Sequence, residues 1–494
     1  MRGVCALLAP REPGEPTTIT RPFDGFEALG SDVGFTGYAF VLFFFGLVLP
    51  ARWLLPARAT QWVLLVASVV FYLTWGWKLA ALLAALTAFT YGAGILLRSR
   101  KTGRQGILAG AIVVLLGTLA TFKYAAFFAS FIPGAHVEQL PLPLGISFYV
   151  FEMVSYVVDV YRGDPGARSL PEFALYVSYF PHLIAGPIVR ASELLPQLRK
   201  SRSFDSQRAA EGMFIMLTGF VKKMVLADNL AIHADAVFKA PGTFNSIELA
   251  AGVAAYTGQI FCDFSGYTDI ARGGSQMLGF DLPENFDYPY LSRSITEFWR
   301  RWHMTLSRWL RDYLYIPLGG NRGGSFATYR NLFITMTLGG LWHGARITFV
   351  IWGAYHGILL GLHKLFTRAT GASASWKRAR QHFAYQVFAT LCTLVLVMIG
   401  WVFFRAQTFA DAIAVLRRIV AASPAPGWKP TKALELTAWY LFAVSVLHAA
   451  GGHRLGLRTN QALPAAARGL FWATIVMVLY WFASTSPTFI YFYF

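Results

Sequence analysis

Apolar runs approaching membrane length recur along this chain, at 35–49, 62–75, 79–97, 107–132, 173–188, 212–226, 249–261, 332–362, 387–404, 433–447 and 469–483. A helix needs ~20 apolar residues to cross a hydrocarbon core of ~30 Å, and inside that core every backbone polar group must be satisfied within the protein. The pattern therefore predicts an all-α polytopic membrane protein. Several runs fall short of a crossing and one is much longer, so about ten to thirteen spans are expected. With 55% hydrophobic and 14% charged residues among 494, the chain leaves no polar stretch for a separate soluble domain, and 33–494 reads as one membrane domain. Residues 1–32 carry Pro10, Pro13, Pro16 and Pro22 and no apolar core of signal-peptide length. They read as a disordered tail or a misassigned start.

The net charge of +18 is concentrated in basic clusters between apolar runs, at 98–104, 190–208, 368–380, 417–418 and 454–468. Lipid-facing proteins bias such loops to the cytoplasm, so the charge is assigned to topology and the partner it implies is the membrane; nucleic acid has no place in the account. Simple alternation of the runs cannot put all five clusters on one side, which predicts that some apolar segments are re-entrant. Cys5, Cys262 and Cys392 are too widely spaced for a metal motif or a disulfide framework.

Ionisable groups at membrane depth are costly and are by default functional candidates. Two histidines qualify: His303 in Phe298-Trp-Arg-Arg-Trp-His-Met-Thr305 and His343 in Leu338-Gly-Gly-Leu-Trp-His-Gly344. Ser294-Ile-Thr-Glu297 has capping-box spacing, and Pro317 with Gly319-Gly320 supplies a stop, so one helix is predicted between them. On that helix Trp299, Trp302, Leu306, Trp309, Leu310 and Tyr313 share one arc, Arg300, Arg301, Arg308 and Arg311 the opposite one, and His303 the edge of the apolar arc. The arginines face lipid phosphates on one reading. The 332–362 run is too long for one crossing and contains Gly339-Gly340 and Gly344, which predicts a broken helix or tight helix pair with His343 near a cavity. His356 and His363 on the same run read as hydrogen-bonded core residues.

Other chemistries lack their residues. No Gly-x-Ser-x-Gly elbow surrounds Ser147 or Ser265, and no nucleotide loop occurs; His233 and Asp235 have no further ligand at metal spacing, so no metal site is expected. Histidine acting directly remains. A desolvated, neutral imidazole can take the proton of an acceptor hydroxyl as it attacks an activated acyl group. Stabilisation of the oxyanion is left open among a second histidine, a tryptophan N–H and backbone N–H groups at Gly339-Gly340.

Several motifs resemble the membrane-bound O-acyltransferases, in the branch of alginate O-acetylases and teichoic-acid D-alanyl transfer proteins. They are Pro143-Leu-Gly-Ile-Ser-Phe148 with Val158-Asp-Val-Tyr-Arg162, Phe180-Pro-His-Leu-Ile-Ala-Gly-Pro-Ile-Val-Arg190, Asp263-Phe-Ser-Gly-Tyr-Thr-Asp-Ile270, Asn285-Phe-Asp-Tyr-Pro-Tyr290, Phe298 through Asn321 and Gly340-Leu-Trp-His-Gly344. The likeness runs in order from Phe35 to the aromatic end Phe489-Ile-Tyr-Phe-Tyr-Phe494, and the N-terminal tail is the departure from it.

The resemblance implies a ring of about 11 transmembrane helices around short central re-entrant helices and a tunnel. It implies that His343 is the catalytic base and His303 its assistant, with His182 a weaker third candidate that reads as structural. By the same likeness the protein is a multi-pass inner-membrane enzyme that O-acetylates an exported polysaccharide, alginate or another exopolysaccharide. No tightly bound cofactor is implied. The acyl donor is acetyl-CoA or another activated carrier, and periplasmic accessory acetyltransferase proteins are expected partners. Two rival readings stand beside it: D-alanyl transfer to a teichoic-acid-like polymer, and a non-enzymatic transporter with substrate-binding histidines.

Overall fold

The computed structural model describes residues 37–56, 59–134, 137–138, 140–421, 431–449 and 463–483, so the predicted tail at 1–32 and the aromatic end at 489–494 lie outside the described residues. Among the described residues every regular element is helical. The helices that build or support the site are labelled here in chain order: α1 Trp77–Ser99, α2 Arg104–Ala129, α3 Ile146–Arg162, α4 Ser246–Met277, α5 Ile295–Arg301, α6 Met304–Leu310, α7 Gly324–His343, α8 Ile347–Thr370 and α9 Phe383–Arg405.

Of these, α1, α2, α8 and α9 are long and apolar enough to cross a membrane, and shorter apolar helices occupy Ala39–Leu54, Thr60–Leu73, Leu434–Val446 and Ala466–Phe482. Their outward faces are greasy: Val113 on α2 and Leu391 and Val395 on α9 are all more than half exposed. Apolar surface turned outward along membrane-length helices is the signature of a protein embedded in lipid.

Long helices need not face lipid, and α4 is an example. The apolar run at 249–261 is only the first half of this 32-residue helix. Asn245 opens it with a reciprocal cap, its side chain accepting from Glu248 N at 2.9 Å while Glu248 accepts from Asn245 N at 3.1 Å. The second half carries Asp263, Asp269 and Arg272, yet is almost wholly buried in protein. Its polar groups are met by neighbouring side chains, so it needs no lipid-compatible surface.

Glycine sets the spacing around α4. A Cβ at Gly219, on helix Ser206–Phe220, would strike the Gly266 carbonyl, and one at Gly273 would strike that of Gly212. Small residues at such crossings let helix backbones meet where the hydrophobic effect offers no help. Helix Ser206–Phe220 then widens into a π-helical turn at Val221–Ala227, which carries the consecutive lysines Lys222 and Lys223. Lys223 Nζ lies 2.7 Å from both Asp228 and Asp263, and Lys222 Nζ lies 2.6 Å from Asp269. These pairs pin helix Asp228–Lys239 and the π-helical turn to α4.

Candidate active site

The predicted helix from Ser294 to Pro317 is interrupted. It begins as expected, with Ser294 Oγ accepting from Glu297 N at 3.2 Å, but the Glu297 carboxylate accepts from Arg293 N at 2.8 Å, one residue before the cap. At Trp302 the helix stops, and His303 takes a left-handed conformation (φ 43°, ψ 54°) before α6 resumes at Met304. A residue with a Cβ pays roughly 1–2 kcal/mol for that region, so it persists only where neighbours hold it. Segment 285–287 does the holding: Asp287 N donates to Arg301 O and Met304 N to Asn285 O, both at 2.9 Å. Helical periodicity cannot reveal this break, because the groups that satisfy it come from a distant segment.

The arcs survive the break. Trp302, Leu306, Trp309 and Leu310 are buried, and Trp309 stacks on Phe151 at 3.8 Å between ring centroids. Three of the four arginines have carboxylate partners: Arg301 pairs with Glu297 at 2.7 Å, Arg308 with Glu193 at 2.9 Å and Arg311 with Asp312 at 2.6 Å, while Arg300 is exposed. The helix ends in turns at Pro317 through Gly320, as its sequence predicts.

The long run at 332–362 is a tight pair, α7 and α8, joined by extended residues at Gly344 and Arg346. Gly339 and Gly340 lie within α7 rather than at the break, so their N–H groups belong to the helical ladder and are unavailable to an oxyanion. Their role is packing. A Cβ at Gly340 would meet the Phe349 carbonyl and the Gly353 backbone of α8. Replacing Gly340 with Val is expected to force the two helices apart and displace His343. Loss of acyl transfer with a lowered thermal midpoint in detergent would follow, and a Gly340→Val enzyme with unchanged midpoint and activity would contradict this packing role.

The two candidate histidines meet. Their ring centroids are 6.4 Å apart, and their exposures are only 1% for His303 and 3% for His343. His343 stands edge-on to Trp352 and Phe404, each at 5.1 Å, and His303 edge-on to Phe264 at 4.7 Å. A cavity of about 300 Å³ reaches His343 and is lined also by Trp342, Lys123, Ser147 and the Pro143-Leu-Gly-Ile motif. Near Asn285 a second space of about 20 Å³ is bounded by Lys222, Asp269, Arg272 and Ser265. That is room for about one water molecule.

His182 is not brought into this pair. Its Nδ1 lies 3.2 Å from Glu152 Oε1 and its Nε2 3.1 Å from the Tyr176 carbonyl, so both ring nitrogens serve the fold. The histidines read as core residues each use one ring nitrogen in the fold: Trp299 Nε1 donates to His356 Nδ1 at 3.4 Å, and His363 Nδ1 lies 2.8 Å from Thr296 Oγ1. His233 contacts the Glu248 carbonyl at 3.3 Å, and Asp235 pairs with Arg405 at 2.7 Å. Among the described residues no group of three His, Cys, Asp or Glu side chains is placed to hold a metal ion.

Sequence reading overlooked Lys123, which sits within the 107–132 run on α2. Its Nζ donates to Trp342 O at 2.7 Å, His343 O at 3.1 Å and Ser147 Oγ at 3.2 Å. A cation at the C-terminal carbonyls of α7 satisfies acceptors that no intrahelical donor can reach and offsets the negative end of the helix dipole. The signal was present: one lysine in a membrane-length apolar run carries the same cost that singles out the histidines. Asn285, which touches His303, was visible only as part of a motif.

Fold and site together define a polytopic helical membrane protein with a buried histidine pair, one member of which lines a cavity. The chain belongs to the membrane-bound O-acyltransferase family, whose model matches residues 135–404 and so takes in both histidines and Asn285. It is similar to a protein named probable alginate O-acetylase from Azotobacter vinelandii, with 46% identity over 76% of this chain and 75% of the relative. A peptidoglycan O-acetyltransferase from Helicobacter pylori is 36% identical over 78% of this chain and 77% of its own length. A teichoic acid D-alanyltransferase from Bacillus subtilis is 26% identical, over 64% of this chain and 82% of its own. The protein is accordingly a membrane acyltransferase, which sets aside the transporter reading.

Proposed function

We propose that this enzyme O-acetylates hydroxyl groups of an exported polysaccharide, of the alginate or related exopolysaccharide type, with His343 as base and His303 as its assistant. The observation that carries the reading is the histidine pair itself, two buried imidazoles 6.4 Å apart, with His343 lining a cavity of about 300 Å³. The bare imidazole nitrogen of His343 takes the acceptor hydroxyl proton as the oxygen attacks the acyl carbonyl. The intermediate collapses with release of the carrier, which recovers that proton as it leaves. The donor is acetyl-CoA or another activated acyl carrier, used as a substrate rather than held as a cofactor.

For the oxyanion, the Trp342 indole N–H is already given to Ser147 O at 3.3 Å. The Trp352 indole N–H has no hydrogen-bond partner among the described residues, and its ring centroid is 5.1 Å from that of His343, which favours it as the donor. The reading includes a ring of about 11 transmembrane helices enclosing short central helices and a tunnel between the two membrane faces, an inner-membrane location, and periplasmic accessory acetyltransferase proteins that receive or position the polymer. Acetylation is favoured over D-alanyl transfer because the O-acetyl-transferring relatives share 46% and 36% identity against 26% for the D-alanyl one.

Mass spectrometry of surface polysaccharide from a deletion strain tests it. O-acetyl groups should vanish and return with the wild-type gene; an unchanged acetyl content, or loss of D-alanyl esters in its place, refutes the assignment.

A further inference from the structure

The side chain of Asn285 is buried against the His303 break, and its Oδ1 gathers three donors: Thr305 N at 3.2 Å, Thr305 Oγ1 at 2.9 Å and His303 Nδ1 at 3.2 Å. Which of these atoms holds a hydrogen follows from the backbone. The Thr305 N–H can only donate, so the amide atom facing it must be the oxygen; the reverse orientation would set an NH₂ group against an N–H. The Ile188 N–H likewise donates to Thr305 Oγ1 at 3.1 Å, which leaves the threonine hydroxyl hydrogen for Asn285 Oδ1. With Asn285 presenting an acceptor, the His303 Nδ1 must carry its proton. The remaining nitrogen, Nε2, is buried and has no hydrogen-bond partner among the described residues.

We propose that Asn285 is a positioning residue that locks His303 in the Nδ1–H tautomer, so that its Nε2 lone pair accepts the hydrogen bond of the acceptor hydroxyl. The inference rests on the acyl-transfer reading above and makes the assisting role of His303 definite: it accepts, and does not donate to the acyl carbonyl. The ring nitrogen that binds the outer partner always dictates what the other can do. Two backbone N–H groups, at Ile188 and Thr305, anchor the network to separate parts of the chain, so the tautomer is set by the fold and does not wait for substrate.

Solid-state NMR of the full chain in phosphatidylethanolamine and phosphatidylglycerol vesicles, labelled with nitrogen-15 at histidine, reads the tautomer directly at neutral pH. Comparison with His303→Gln assigns the resonance. A protonated Nδ1 and bare Nε2 are expected; a protonated Nε2, in the other tautomer or an imidazolium, overturns the proposal. In membranes active for wild-type transfer, Asn285→Ala should lower kcat by about tenfold to hundredfold with the KM for the acyl donor unchanged. Asn285→Asp keeps the acceptor and should recover most of the activity. Its acid limb should move to higher pH, because a carboxylate there stabilises the imidazolium. Wild-type kcat and pH profile in Asn285→Ala overturn the proposal. Where Asn285→Ala does not fold, the tautomer of the wild-type chain decides. If wild-type membranes transfer no acyl group, the functional reading fails, yet the spectrum still reports whether Asn285 sets the tautomer.

Discussion

His343→Ala should abolish polymer acetylation while the protein still folds and inserts. His343 closes α7 and lines the cavity, so its imidazole can be removed without interrupting the helix. General-base catalysis contributes about 10²- to 10⁴-fold, and the loss of acetyl transfer should fall in that range or beyond it. His303→Ala should be similarly severe, and the double variant little worse than either single one, because groups that act as a unit are not additive. Comparing acetyl content of exported polymer across these variants, at matched protein abundance in the membrane, provides the check. Wild-type acetylation by His343→Ala would remove the assignment of the site; a double variant whose loss is the product of the two singles would show that the histidines act independently.

Lys223→Met should produce the largest loss of stability. Lys223 is the shared partner of Asp228 and Asp263 at 2.7 Å each, and all three side chains are at most 5% exposed. Removing the cation leaves two carboxylates side by side in protein at membrane depth. Breaking a buried pair in this way costs about 3–5 kcal/mol, because the remaining charge is uncompensated. The Lys223→Met protein should therefore unfold at a much lower temperature in detergent or fail to accumulate. Adding Asp228→Asn and Asp263→Asn should restore much of the midpoint, since neutral amides no longer need the cation. If the single variant matches wild type, the cluster does not hold helix Asp228–Lys239 to α4. Activity separates this effect from catalysis: the restored triple variant keeps the histidine site intact and should acetylate.

Much of this was legible before any coordinates, and for definite reasons. Apolar runs of membrane length admit only helices, so fold class followed from the period and cost of burial alone. His303 and His343 stood out because an ionisable side chain in such a chain is expensive enough to demand an explanation. The tight pair made by α7 and α8 was foreshadowed by run length and glycine content. Where the reading failed, the missing information was nonlocal. The break at His303 is stabilised by Asn285 and Asp287, and Arg308 of α6 finds Glu193, more than a hundred residues away.

Hydropathy alone does not reveal that α4, buried on all sides, can carry Asp263, Asp269 and Arg272 where a lipid-facing helix cannot. Lys123 escaped notice inside an apolar run, although the cost argument applied to the histidines covers it equally.

By itself, then, the sequence determined an all-helical membrane protein and two histidines worth suspecting, since hydropathy and the cost of burying charge are local properties of each segment. Only the tertiary structure decided that those histidines face each other, that Lys123 caps the helix bearing one of them, and that Asn285 dictates the protonated nitrogen of the other. Those decisions depend on atoms 18 to 220 positions apart in the chain brought within hydrogen-bond distance, and no periodicity within a segment encodes such a distance.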